Sequence, residues 1–320
     1  MDIRSSHQLS KYKSKSLHAD TITTMEPTVH PIFEKQTSTW QYIVACPETR
    51  EAVIIDPVLD YSQEQLTINT TSADSLLDVV NLHHYKVVRL LETHAHADHL
   101  TAASYLQSRL QAQGANVPVC IGRRIRQVQD TFAKRYGVPA DELDNAFDHL
   151  LEDNETFPIG NLTAKVLHLP GHTPDHVGYL IGSNVFTGDS IFNPDVGSAR
   201  CDFPSGDAEA LYQSMQKLLE LPGEFKLYTG HDYPPSTSSV SREPMPFATV
   251  NEQRERNKHV AGGREEFVTW RKTRDSGLSE PRLLHQALQI NIRGGKLPGS
   301  PDGSRRIFLQ VPVTLPESWA

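Results

Sequence analysis

The stretch Thr93-His94-Ala95-His96-Ala97-Asp98-His99 decides how this chain is read. Three imidazoles and one carboxylate fall within six residues, directly after the apolar run Val87–Leu91. A loop leaving a strand end can turn several such side chains toward one point, and nitrogen and carboxylate donors together suit a divalent transition metal. A lone histidine is ordinarily a packed or surface residue. Four ligand-type residues crowded at one strand end are not explained that way.

Three later segments repeat the arrangement of a β-rich run followed by a ligand-type residue. Leu169-Pro170-Gly171-His172-Thr173 follows a run ending near Leu167, Thr187-Gly188-Asp189-Ser190 follows Asn184–Phe186, and Thr229-Gly230-His231-Asp232 follows Leu227-Tyr228. A glycine precedes the His or Asp each time, permitting a tight turn and a close backbone approach. Each dipeptide alone is a common turn; the set, in this order, is specific.

Around these segments, β-rich runs alternate with helical periodicity. Val29–Phe33, Trp40–Ala45, Glu51–Asp56, Val117–Ile121, Leu162–Leu167, Val177–Ile181 and Lys226–Thr229 read as further strands. Helices are expected through Leu76–Leu82, from Leu100 through Leu110, and over Arg123–Tyr136, Ala208–Leu221, Thr249–Lys258 and Glu265–Arg274. Pro234-Pro235 and the serine-rich run after them mark a break. The expected organisation is an α/β catalytic domain over 28–235 and a C-terminal extension, 236–320, packed on it. Residues 1–27 are expected to be a disordered or targeting tail: basic and serine-rich, but carrying Asp2 and Asp20 and lacking an Arg-rich face.

Composition narrows the function classes. With 320 residues, 38% of them hydrophobic, the chain is long enough for a sizeable core. A formal charge of −8 argues against nucleic acid or an anionic membrane as partner. Only three cysteines occur, Cys46, Cys120 and Cys201, which points to a reducing compartment rather than a disulfide framework. Cytoplasm is expected, with the mitochondrial matrix as the alternative.

The His-x-His-x-Asp-His signature at His94–His99, with His172, Asp189 and His231 following, resembles the metallo-β-lactamase superfamily, which includes glyoxalase II. This resemblance implies an αββα sandwich with the metal at one edge. It also implies that Asp56, in the Ile-Ile-Asp-Pro turn, supports the ligand loop. Within the superfamily, Gly197-Ser198-Ala199-Arg200-Cys201-Asp202-Phe203, the following Gly206-Asp207, and His231-Asp232-Tyr233 resemble the persulfide dioxygenases. Alanine and cysteine flank Arg200 where that family commonly has glycine and threonine.

Two ligand schemes stay open at this point. In one, His94, His172 and Asp189 form a 2-His-1-carboxylate triad around one Fe(II), while His96, Asp98, His99 and His231 orient the site. The enzyme would then oxidise glutathione persulfide to sulfite with O2. In the other, His94, His96 and His172 hold one zinc, Asp98, His99 and His231 hold a second, and Asp189 bridges them. A zinc hydrolase of a glutathione thioester, lactone or lactam would result. The family resemblance further assigns Arg200, supported by Asp202, to a glutathione carboxylate, and Tyr233 and Thr173 to substrate hydrogen bonds. The expected partners are thus a small thiol substrate and, as a candidate, a second copy of the chain. A non-catalytic scaffold would have lost ligand residues, and none is missing.

Overall fold

The computed structural model describes residues 25–237, 240–260, 262–300, 303–304, 306–313 and 315. The first half runs β1 (Thr28–Glu34), β2 (Thr39–Ala45), β3 (Glu51–Ile55), β4 (Val58–Ser62), β5 (Thr67–Asn69), α1 (Thr71–Leu82), β6 (Lys86–Leu91), β7 (Leu100–Thr101), α2 (Ala103–Ala112), β8 (Val119–Gly122), α3 (Ile125–Tyr136), α4 (Asp141–Asp144) and β9 (His149–Leu151). The second half continues with β10 (Thr156–Ile159), β11 (Leu162–His168), β12 (Val177–Ile181), β13 (Asn184–Gly188), α5 (Ala208–Leu219), β14 (Lys226–Thr229), β15 (Ser236–Thr237), β16 (Val240–Ser241), β17 (Phe247–Thr249), α6 (Val250–Arg256), α7 (Gly263–Asp275) and α8 (Leu284–Asn291).

Two six-stranded sheets result, ordered β1-β2-β3-β6-β8-β9 and β10-β11-β12-β13-β14-β17. Side chains alternate across a strand, so each strand feeds two apolar layers. Tyr42, Val44, Val53 and Ile55 join Ala164, Val166, Tyr179 and Phe186 between the sheets. Their neighbours Ile43, Ala45, Ala52 and Ile54 face outward onto Leu76, Leu106 and Phe132 of α1, α2 and α3. On the far side, Leu167, Val185 and Leu227 pack under Leu211, Met215 and Leu218 of α5. Covered on both faces, β3 reads as an unbroken apolar run rather than an alternating one. The architecture is αββα.

The extension adds a helix to each outer layer. Phe267 of α7 joins the α5 layer, and Leu284, Ala287, Leu288 and Ile290 of α8 join the α1–α3 layer. β17 lies beyond the expected boundary at residue 235, yet it pairs with β14 at the edge of the second sheet. The expected N-terminal tail lies outside the described residues except for 25–27, where Glu26 accepts hydrogen bonds from Ser183 and Asn184. Among the described residues, no helix is long and apolar enough to cross a membrane.

One local expectation is corrected. Leu100 was expected to begin a helix, but Leu100–Thr101 instead pair with β4, and α2 starts at Ala103. The Thr101 hydroxyl accepts the Ala103 N–H, turning the chain into the helix only after the short ladder closes.

Candidate metal centre

The four motifs sit at the ends of β6, β11, β13 and β14, so their loops gather at one edge of the sandwich. Backbone bonds tie the two sheets together there. The Val177 N–H reaches Thr93 O at 2.8 Å, and the Trp40 N–H reaches Gly230 O at 2.8 Å. His94, His172 and Asp189 are all buried and offer one ligand atom each within 4.8 Å of one another. A Cβ on Gly230 would fall 2.4 Å from Asp189 Oδ1, so the glycine leaves room for the carboxylate.

Hydrogen bonds on the far side of each ring decide which nitrogen faces the centre. A carbonyl can only accept, so a ring nitrogen bonded to one must carry the proton. His172 Nδ1 donates to Arg200 O at 2.7 Å, His231 Nδ1 to Ser38 O at 3.2 Å, and His99 Nδ1 to Leu100 O at 3.2 Å. The Thr93 hydroxyl donates to Asp56 Oδ2 at 2.8 Å and therefore accepts from His94 Nδ1, 3.0 Å away. Each of the four rings thus turns an Nε2 lone pair inward, the tautomer a metal ligand requires. Nε2 of His94 and His99 and Oδ1 of Asp189 are buried without a hydrogen-bond partner. A bound cation would satisfy these orphaned atoms, and the donor set of imidazole and carboxylate fits a transition metal.

Electrostatics keep His94 and His99 neutral, whereas at His231 burial is outweighed by the Asp189 and Asp98 carboxylates, which raise its pKa. Burial, reinforced by the imidazoles of His96, His176, His172 and His231, pushes the His94 pKa well below the usual histidine value. Burial and His96 bring His99 to about 3. Burial works against ionisation of Asp98, but the His231, His99 and His96 imidazoles outweigh it and hold the carboxyl at about 2.

His96 is oriented differently. Its Nε2 lies 3.1 Å from Asp56 Oδ1 and 3.4 Å from Glu92 Oε2, all three residues being buried. Its Nδ1 is buried without a hydrogen-bond partner, so carboxylates on one side of the ring leave the other nitrogen free for a metal, and both ligand schemes are compatible with this arrangement. Ligand atoms of His96, Asp98 and His99 do come within 4.8 Å of one another. His231 Nε2 approaches Asp98 Oδ2 at 3.2 Å and Asp189 Oδ2 at 3.6 Å. Asp56 itself adopts the left-handed conformation (φ 50°) and accepts the Thr93 N–H at 2.7 Å, fixing the start of the ligand loop.

A pocket of about 520 Å³ opens over Asp98, His172, Asp189 and His231. Arg200 lines it, but its guanidinium is occupied by Asp202 and by Ser279 O. Arg200 is thus held at the pocket wall by Asp202. Its backbone carbonyl, not its charge, is what touches the centre, through His172. The expectation for Thr173 is corrected: it is fully buried and does not line the pocket. Tyr233 does line the pocket, half exposed and stacked on His231 with ring centroids 5.8 Å apart. Cys201 lies nearby, buried, and burial pushes its thiol pKa up strongly, which makes it an apolar filler.

Several further side chains support the centre. His176 Nε2 accepts the Asp189 N–H at 2.9 Å, and Asp175 Oδ2 accepts the Ala95 N–H at 2.9 Å. Both belong to the dense run His172-Thr173-Pro174-Asp175-His176, whose composition was the available signal. The fully buried Asp232 takes a two-pronged bond from Arg242, fixing the loop between His231 and Tyr233. Arg242→Met leaves that carboxylate without its cation, and a loss of about 3 kcal/mol of unfolding free energy is expected. Urea denaturation measures it, and a loss below about 1 kcal/mol would place the pair among the weak surface bridges.

Residues 36–231 match the model of the metallo-beta-lactamase superfamily. The chain belongs to that superfamily. Among curated members, it is 41% identical over 296 residues to the "Beta-lactamase hydrolase-like protein" of Xylella fastidiosa, covering 92% of this chain and 66% of that protein. The chain thus spans just under two thirds of that longer relative. It is 40% identical to "Glyoxylase B2" of Dictyostelium discoideum, over 88% of this chain and 94% of the relative. It is 32% identical to the mitochondrial "Persulfide dioxygenase ETHE1" of Bos taurus, over 82% and 87%. The crystal structure of ETHE1 from Myxococcus xanthus superposes with a TM-score of 0.65 at 30% identity, over 84% of this chain and all of that one. Superfamily membership makes the His/Asp cluster a metal-binding site and leaves iron against zinc to the chemistry of the donors.

Proposed function

We propose that this protein is an iron-dependent dioxygenase that converts glutathione persulfide, O2 and water to glutathione and sulfite, with one Fe(II) held by His94, His172 and Asp189. The buried triad of His94, His172 and Asp189 carries the reading. Their ligand atoms lie within 4.8 Å of one another, two imidazoles and one carboxylate. When bound there, iron supplies a face with open positions for a soft sulfur and for dioxygen. The protein's own groups do the rest. Arg200 O, Thr93 and His176 hold the three donors in register. Phe192, Tyr233 and Trp270 give the pocket an apolar wall that limits water. At its mouth Lys258, Arg274 and Arg282 make no ion pair among the described residues, leaving cations for the glutathione carboxylates. The relatives named as persulfide dioxygenases support the same assignment.

The competing reading, a zinc hydrolase, draws on the second cluster of His96, Asp98 and His99 and on the relatives named as hydrolase-like and glyoxylase. Metal analysis of anaerobically purified protein, paired with oxygen uptake on glutathione persulfide, separates the two. About one iron per chain with uptake is expected. Two zinc ions per chain, and no uptake after Fe(II) reconstitution, would overturn the proposal.

A further inference from the structure

The loop carrying His94 to His99 is irregular, so its backbone groups need partners from elsewhere. At its start, Asp56 takes the Thr93 N–H and Asp175 takes the Ala95 N–H. At its end a third side chain does the same work from far away in sequence. Asn291 Nδ2 donates to both His96 O and His99 O at 2.8 Å, and its Oδ1 accepts the Thr101 N–H at 2.9 Å. All its hydrogens and its oxygen are spent on the metal loop, and the residue is only 3% exposed.

The mount behind it is rigid. Asn291 closes α8, whose Leu284, Ala287, Leu288 and Ile290 are buried in the α1–α3 layer. Just beyond, Gln129 Nε2 donates to Ile292 O at 2.8 Å, and Arg293 Nε bonds Glu142 Oε2 at 2.5 Å. Packing alone asks only for an apolar side chain here. A planar amide with two donors spread onto two carbonyls of the metal loop is a more particular choice.

We infer that Asn291 is a positioning residue of the metal centre, and that the C-terminal extension is through it a working part of the site. It acts on the backbone carbonyls of His96 and His99, setting where the imidazoles and Asp98 between them stand relative to His172 and Asp189. The inference holds whichever reaction the metal serves, so failure of the dioxygenase assignment leaves it standing.

Asn291→Asp is the sharp test. It is nearly isosteric and keeps the acceptor for Thr101, but it turns the two donors into an oxygen facing two carbonyls. Full-length protein is titrated with Co(II) and Zn(II) against a chromophoric chelator, and the Co(II) absorption spectrum is recorded. A 10- to 100-fold loss of affinity is expected for a group that orients ligands without binding metal, about the range such partners command, together with a changed Co(II) spectrum. Leu288→Ala, buried in the same helix, serves as the structural control: it should lower the melting temperature of the metal-free protein while leaving the Co(II) spectrum unchanged. Should Asn291→Asp not fold, Asn291→Ser, which keeps one donor, is expected to fall between wild type and that loss. Wild-type affinity and spectrum in either folded variant, or a spectral change in Leu288→Ala equal to that of the Asn291 variants, would overturn the inference.

Discussion

His172→Ala is expected to abolish oxygen uptake on glutathione persulfide and to weaken metal binding by more than about 100-fold, beyond the range typical of groups that merely orient a ligand. His172 brings its Nε2 to 3.6 Å from Asp189 Oδ2 and is held there by the Arg200 carbonyl. The nearby His176 does not replace it, because its Nε2 accepts the Asp189 N–H. The fold should survive, because the side chain stands at the pocket floor and its removal opens no sealed apolar cavity. Equilibrium dialysis of Fe(II) or Zn(II), beside thermal melts of the metal-free protein, reads the two effects apart. Near-stoichiometric metal retention in the variant, at wild-type affinity, would remove His172 from the ligand set.

The second large effect concerns Gly171, and it falls on stability first. Gly171 has a φ of 135°, which L residues rarely adopt, and a Cβ there would lie 2.2 Å from Leu211 N and 2.3 Å from Leu211 Cα. Those atoms are backbone of the first turn of α5, fixed by the Asp207 cap on the Ala210 N–H and by the Asp207 N–H to Gly171 O. Neither side has a flexible end that can yield. Gly171→Ala should therefore cost more than about 4 kcal/mol, combining backbone strain with overpacking. Failure to accumulate as folded protein, or a large fall in the denaturation midpoint, is the expected outcome. A variant with near wild-type stability would show that α5 can slide away from the His172 loop.

The metal loop and its partners were readable because each ligand-type residue follows a strand end directly in sequence. Local order therefore carried the information. The two outer helical layers were partly legible too, since β3 and its neighbours read as runs buried on both faces. The two-residue β7 had no periodic signal to give: Leu100 and Thr101 look like the start of α2 until β4, some forty residues earlier, claims their backbone. Sequence proximity pairs Arg200 with Asp202, but it could not show that Ser279 O, 79 residues away, would also take the guanidinium. Thr173 looked like a pocket hydroxyl because it follows His172, but the turn that exposes the imidazole buries its neighbour. Asn291 left no trace at all, being one asparagine 192 residues from the carbonyl of His99.

That separation has a consequence for synthesis. A chain emerging from the ribosome makes the histidine-rich loop early, while the amide that fixes its carbonyls comes 195 residues after His96. The nascent chain therefore carries ligand residues long before it carries a finished site, and a product cut short before α8 keeps every one of them yet lacks the third anchor of the loop. Metal loading is in this way tied to completion of the polypeptide through Asn291, and a truncated copy is set to compete poorly with the full-length protein for metal.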